Sequence, residues 1–140
     1  MKIAKEFHWE MGHRLPFHNG KCKNLHGHYY KCMVEFTGDP DSNGMVIDYF
    51  DVKKVIGPII DELDHSFMVC KNDTEIIEAL EKLNSQKIIV DFETTAENIC
   101  LYLIRNIKSS NLPKNIKTIK VRVLETENTY AEDETILLRF

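Results

Sequence analysis

No stretch of this 140-residue chain is long and apolar enough to resemble a membrane span. The longest apolar runs, such as Val55–Ile60, are broken by Gly57 and Pro58, and a span needs roughly 20 residues. Met1-Lys2-Ile3-Ala4-Lys5-Glu6 alternates in charge and leads into no apolar h-region, so no secretory signal is expected. There is no excess of positive charge: 18 Lys and Arg face 22 Asp and Glu, for a net charge of -4. That balance argues against nucleic-acid or anionic-membrane partners, although a local basic pocket remains compatible with it. Glycine and proline are sparse, at six and four residues, and no linker, repeat or low-complexity segment interrupts the chain. The expectation is one compact domain over residues 1–140.

The four cysteines, Cys22, Cys32, Cys70 and Cys100, include no C-x-x-C pair, which excludes a zinc ribbon and a thioredoxin-like motif. Without a secretory signal the expected compartment is the reducing cytoplasm, with free thiols. One thiol is then available for chemistry and the other three for packing.

Hydrophobic periodicity places strands at both ends and helices between them. Ile3, Phe7, Trp9, Met11 and His13 alternate on one face of a first strand, with Lys5 as the misfit. His26, His28, Tyr30, Cys32, Val34 and Phe36 do the same on a second, from about His26 to Thr37. Asp48 to Leu63 reads as a helix with a kink or break at Gly57-Pro58. Further helices are expected over Thr74–Leu83 and from Thr95 to about Lys108, capped by Thr94 or Thr95. Lys87–Phe92 is β-like. Ile119, Val121 and Val123 mark a strand over Ile116–Glu125, and Ile136, Leu138 and Phe140 mark another. The order ββ-helices-ββ predicts an α+β fold with an antiparallel sheet covered by helices.

His13 and His26-Gly27-His28 carry the strongest chemical signal. Residues two apart on a strand share a face, and an antiparallel return brings His13 beside the pair. Three neutral imidazoles suit zinc and leave a fourth tetrahedral position for water or substrate. The plain alternative is ordinary strand histidines with solvated rings. Cys22 lies between Lys21 and Lys23, four residues before His26. Nearby cations and a metal favour its thiolate, and the residue reads as a base, a fourth ligand or an inert loop thiol. Asp64-His65 follows an apolar helix and has the composition of an acid–base dyad, but adjacent side chains on a helix do not face each other. Glu125 continues the Val121–Val123 face. A carboxylate there can hold an N–C–N edge by two hydrogen bonds, while alternation alone favours exposure at the strand end. His8 and His18 are background. Trp9 reads as core, and Glu132-Asp133-Glu134 as a solvated strand edge.

Taken in order, Gly12-His13-Arg14-Leu15, Cys22-x-x-x-His26-Gly27-His28, Leu63-Asp64-His65, Thr95-Ala96-Glu97-Asn98 and Glu125-Thr126 resemble the 6-pyruvoyl-tetrahydropterin synthase family. The short cysteine-to-histidine spacing is similar to its bacterial branch, the 6-carboxy-5,6,7,8-tetrahydropterin synthases of queuosine biosynthesis. The resemblance implies a T-fold (tunnelling fold) with a four-stranded antiparallel sheet and helices on one face. It implies a homo-oligomer, usually a hexamer of two stacked trimers, with active sites shared across subunits. It further implies Zn2+ on His13, His26 and His28, Cys22 as the proton-abstracting base, and His65 supported by Asp64 as a proton relay. Glu125 would anchor the pterin ring and join the relay, with Thr95 helping to hold the ring. The implied reaction converts 7,8-dihydroneopterin triphosphate to 6-carboxy-5,6,7,8-tetrahydropterin, acetaldehyde and triphosphate. The alternatives are triphosphate elimination with the side chain retained, an aldolase-like cleavage of dihydroneopterin, and a non-catalytic zinc- or pterin-binding module. Arg14, Lys21 and Lys23 are the nearby cations for a triphosphate. Three positions depart from the family pattern: Met11-Gly12, Thr94 where proline is common, and Asp133 near a frequent tyrosine. None is a proposed ligand or catalytic group.

Overall fold

The two N-terminal strands form one long antiparallel pair whose register sets the position of everything else. In the computed structural model, which describes residues 1–138, β1 (Lys2–His13) pairs with β2 (His26–Gly38) from Lys2↔Thr37 to His13↔His26. β5 (Ile116–Thr126) adds antiparallel to β2, and β6 (Thr129–Ile136) to β5. Alternation within these strands divides the sheet cleanly. Trp9, Met11, Tyr30, Cys32, Val34, Phe36, Ile119, Val121 and Val123 are buried on one face. Glu6, His8, Glu10, Tyr29 and Met33 are exposed on the other. Lys5, the misfit, is half-buried and lays its Nζ 5.8 Å from the Phe7 ring centroid, so its stem packs while its charge stays near solvent.

The sheet is six-stranded and mixed, not four-stranded and antiparallel. β3 (Ser66–Cys70) joins β1 in parallel at Met11 and Gly12, and β4 (Lys87–Val90) joins β3 in parallel, for a strand order β4-β3-β1-β2-β5-β6. β3 escapes periodicity analysis because it is covered on both sides. Met68 enters the main core, whereas Val69 and Phe67 pack with Ile76, Ile77 and Leu80. A strand buried on both faces reads as a short apolar run with no alternation.

The same packing corrects the expectation of helices on one face. α1 (Tyr49–Leu63) and α3 (Ala96–Lys108) cover the buried face with Val52, Ile56, Ile60 and Leu63 and with Ile99, Cys100, Leu103 and Ile107. α2 (Thr74–Lys82) covers the opposite side of the β3–β4 extension. Each of these fully buried aliphatic side chains contributes roughly 1.5–3 kcal/mol of transfer free energy.

α1 runs unbroken through Gly57-Pro58. Pro58 is on the exposed side of the helix, so the carbonyl that loses its intrahelical donor faces water, and the cost of the missing bond falls. Asp48 caps the N-terminus, accepting from the Phe50 amide at 2.8 Å. β6 ends at Ile136. Leu138 lies beyond the strand, and Phe140 lies outside the described residues.

Candidate metal centre and acid–base groups

The β1–β2 register faces His13 with His26 and places His28 two residues along the same face. The ring centroids stand 4.6 Å (His13–His26), 5.2 Å (His13–His28) and 4.9 Å (His26–His28) apart. One nitrogen from each ring lies within 4.8 Å of the others. Hydrogen bonds on the far nitrogens decide the tautomers. His13 Nδ1 donates to the Thr94 carbonyl at 2.8 Å, with the Thr94 hydroxyl at 3.1 Å. His26 Nδ1 donates to the Asn24 carbonyl at 2.7 Å. A carbonyl only accepts, so Nδ1 carries the proton in each, and in the neutral ring Nε2 then presents a lone pair, the form a metal binds. His26 Nε2 is buried with no protein partner, and an orphaned buried acceptor costs about 1–3 kcal/mol. A cation between the rings removes that cost, so the residues fit a divalent metal held by imidazole nitrogen.

Burial reinforces neutrality. Desolvation lowers the His13 pKa from 6.5 to about 4; the Thr94 carbonyl opposes the shift, and the His26 and His28 rings add to it. His28 is also lowered, first by desolvation and then by His26, against the raising influence of Glu125.

Glu125 completes the cluster's rim. Glu125 continues the inward face of Ile119, Val121 and Val123, and the β5–β6 register shifts beside it, between Leu124 and Thr126. Instead of emerging into solvent, its Oε1 stands 3.4 Å from His13 Nε2 and 3.6 Å from His28 Nε2. Tyr30, fully buried, donates its hydroxyl to the same oxygen at 3.4 Å, and that hydroxyl is 3.5 Å from His13 Nε2. Burial, then the Glu125 charge, push the Tyr30 phenol well above its usual range and keep it a donor. Trp9 stacks on it at 5.1 Å. A depression of about 750 Å³ reaches His28 and Glu125 but is bordered also by Tyr29 and Lys31, from the outer face of β2.

Cys22 sits half-buried in a 3-10 turn, Lys21–Lys23, whose lysines are exposed. The turn is tied back by the Leu15 amide, which donates to the Cys22 carbonyl at 2.8 Å. The metal-ligating group found among the described residues is the three histidines, and Cys22 is not part of it. Cys32, Cys70 and Cys100 are buried and free, and burial pushes the Cys32 thiol to about 12 and that of Cys100 to about 11.

Asp64 and His65 do face each other, because the chain leaves α1 between them. Asp64 is the C-cap in extended geometry and His65 has φ 61, in the left-handed region. His65 Nδ1 lies 3.0 Å from Asp64 Oδ2. The Glu10 amide donates to Asp64 Oδ1 at 2.9 Å; with the His65 ring it holds the Asp64 carboxyl below its usual range. His65 Nε2 is 3.5 Å from Glu10 Oε2. Glu10 is on the exposed face of β1, so within one chain the dyad stands across the sheet from the imidazoles.

Two expected binders have other partners. Arg14 makes a bidentate pair with Asp73, at 2.8 and 2.7 Å, and lies 3.7 Å from Glu75, so its charge is already engaged by carboxylates. Thr95 caps α3, accepting from the Asn98 amide at 3.2 Å. Thr94 and Tyr30 are the site residues that sequence reasoning missed. Thr94 meets His13 across 81 residues, with no local signal. Tyr30 had one, since it shares a strand face with His26 and His28.

An α+β chain with a mixed sheet and an inward-facing imidazole trio defines the class. Solved structures with this fold include a 6-pyruvoyl tetrahydropterin synthase from Plasmodium vivax, at TM-score 0.77 and 18% identity, covering 97% of this chain and 98% of that one. They also include an uncharacterized protein from Wolinella succinogenes, at TM-score 0.79 and 27% identity, covering 95% and 97%. A protein from Haemophilus influenzae named 6-carboxy-5,6,7,8-tetrahydropterin synthase is 38% identical over 139 residues, covering 94% of this chain and 96% of its own. Residues 2–135 match the family described as 6-pyruvoyl tetrahydropterin synthase, and the chain belongs to that family.

Proposed function

We propose that this protein is a zinc-dependent lyase that converts 7,8-dihydroneopterin triphosphate to 6-carboxy-5,6,7,8-tetrahydropterin, acetaldehyde and triphosphate, within queuosine (7-deazapurine) biosynthesis in the cytoplasm. The observation that carries this reading is the convergence of three imidazoles whose nitrogens lie within 4.8 Å of one another, one of them buried and unpartnered. The name of the Haemophilus influenzae relative supports the product assigned.

His13, His26 and His28 would hold the metal. When bound, zinc supplies Lewis acidity, lowering the cost of negative charge developing beside an oxygen-bearing carbon. Glu125, with Tyr30 behind it, orients the pterin ring so that its acidic C–H faces the base. Cys22, four residues before His26, takes that proton as a thiolate. His65 carries protons at Nε2 while Asp64 fixes Nδ1. Lys21 and Lys23 remain as exposed cations for the triphosphate, and Thr95 contributes by holding the start of α3 in place.

Because His65 faces away from its own chain's imidazoles, the reading requires a neighbouring copy to complete the site. Among the described residues β1 pairs with β3 only at Met11 and Gly12, which leaves the other edge of Lys2–His8 without a partner strand, and β6 pairs only with β5. Two unpaired edges on one sheet suit strand addition between copies, in keeping with a hexamer of two trimers. Among the described residues no helix is long and apolar enough to cross a membrane.

The test is incubation of the zinc-loaded protein with the triphosphate and mass analysis of the products. A 6-carboxy product with acetaldehyde is expected. A 6-pyruvoyl product would move the protein to the side-chain-retaining alternative, and no product would defeat the reading.

A further inference from the structure

The placement of Glu125 asks for more than ring binding. Its Oε1 lies 3.4 Å from His13 Nε2 and 3.6 Å from His28 Nε2. His13 gives its ring proton to Thr94, so a lone pair on Nε2 faces a carboxylate oxygen. Two acceptors at that distance repel unless something positive lies between them. The Tyr30 hydroxyl has one proton, and it points to Oε1. Donors sharing a small tetrahedral ion, each at roughly 2.0–2.1 Å, stand about 3.4 Å apart, close to both spacings. Alternation from Ile119, Val121 and Val123 places the side chain on this face, and the Tyr30 bond supports the same oxygen, as outer partners support ligating carboxylates.

We propose that Glu125 is an exchangeable fourth ligand: its Oε1 caps the metal held by His13, His26 and His28 when the site is free, and leaves it to hold the pterin ring when substrate enters. The capped state rests on the geometry of this chain; the exchange rests on the pterin reading above. Capping keeps small anions off the metal between turnovers, and departure of the carboxylate couples ring recognition to opening of the vertex that the substrate's hydroxyls need.

Cobalt(II) in place of zinc reports the ligand set by visible absorption. With full-length protein and no substrate, Glu125→Gln is expected to change the cobalt spectrum and to weaken metal binding by ~10–100-fold in a chelator competition. Superimposable spectra together with equal affinities would overturn the capped state. Zinc X-ray absorption on the unmutated protein answers the same question should the variant fold poorly: a carboxylate oxygen in the first shell is expected, and a shell of three nitrogens and a water would overturn it. Adding the dihydropterin triphosphate should remove the carboxylate feature, and its persistence in the bound state would overturn the exchange. A Glu125-dependent spectrum without any product would retire the pterin reading and leave the cap standing. Normal product formation with a Glu125-independent spectrum would retire the cap alone.

Discussion

The two faces of β1 hold chemically different groups. On the inner face, His13 is 1% exposed, its ring bonded to Thr94 and its pKa lowered to about 4. On the outer face, His65 is 71% exposed, held by Asp64 on one nitrogen and approached by Glu10 on the other. Burial makes the first ring a poor proton carrier and a good ligand. The second ring is open to solvent and flanked by two carboxylates. One residue type thus meets two environments according to which side of a strand it faces.

The sharpest way to break this comparison is to remove an inner ring. His26→Ala is expected to weaken metal binding by more than ~100-fold and to abolish turnover, since it deletes a ligand rather than a ligand's partner. Metal analysis after dialysis checks it, and stoichiometric metal in the variant would contradict the trio. On the outer face, His65→Ala should leave metal content unchanged while reducing turnover by ~10²–10⁴-fold, the usual range for a lost acid–base group. Asp64→Asn should fall between that variant and the unmutated protein. Mixing His65→Ala chains with Cys22→Ala chains should restore part of the activity if neighbours share a site. Continued inactivity of well-mixed oligomers would place both residues in one chain's site.

Acid separates the faces in another way. The folded-state pKa of His13 lies below its unfolded value of 6.5, so the unfolded chain binds the proton more readily. Stability of the metal-free protein should therefore be intact above pH 6.5 and be lost as pH falls toward about 4. The loss is on the order of 3 kcal/mol. Urea titrations across that window measure it, and a flat profile would mean the ring is protonated in the folded state. The smallest effect belongs to Thr95→Ala. As a cap it should cost about 1 kcal/mol of stability. A large rise in KM with unchanged stability would instead restore Thr95 as a ring-binding residue.

How much of this was legible beforehand differs residue by residue. The His13, His26 and His28 face follows from period-two alternation and an antiparallel return, so it could be read directly. The Asp64–His65 contact could not, because it depends on α1 ending at Leu63 and on a left-handed backbone at His65. Glu125 was read toward solvent because it ends the apolar stripe of β5; alternation did place it on the Ile119–Val121–Val123 face, and what it meets there, His13, His28 and Tyr30, comes from two other strands. β3 gave no periodic signal because α2 covers its second face, and that covering turned an expected four-stranded sheet into six strands.

Local order along the chain was enough to determine the long strand pair, the faces of α1 and α3, and the meeting of three imidazoles, since each depends on spacing within one or two adjacent elements. Tertiary structure decided the tautomer of His13, braced by Thr94, that Arg14 is spent on Asp73, and that Asp64, bonded by the Glu10 amide, stands with His65 across the sheet from the three imidazoles. Those outcomes depend on contacts between residues 54 to 81 positions apart, where pairing is settled by packing and desolvation rather than by any local pattern.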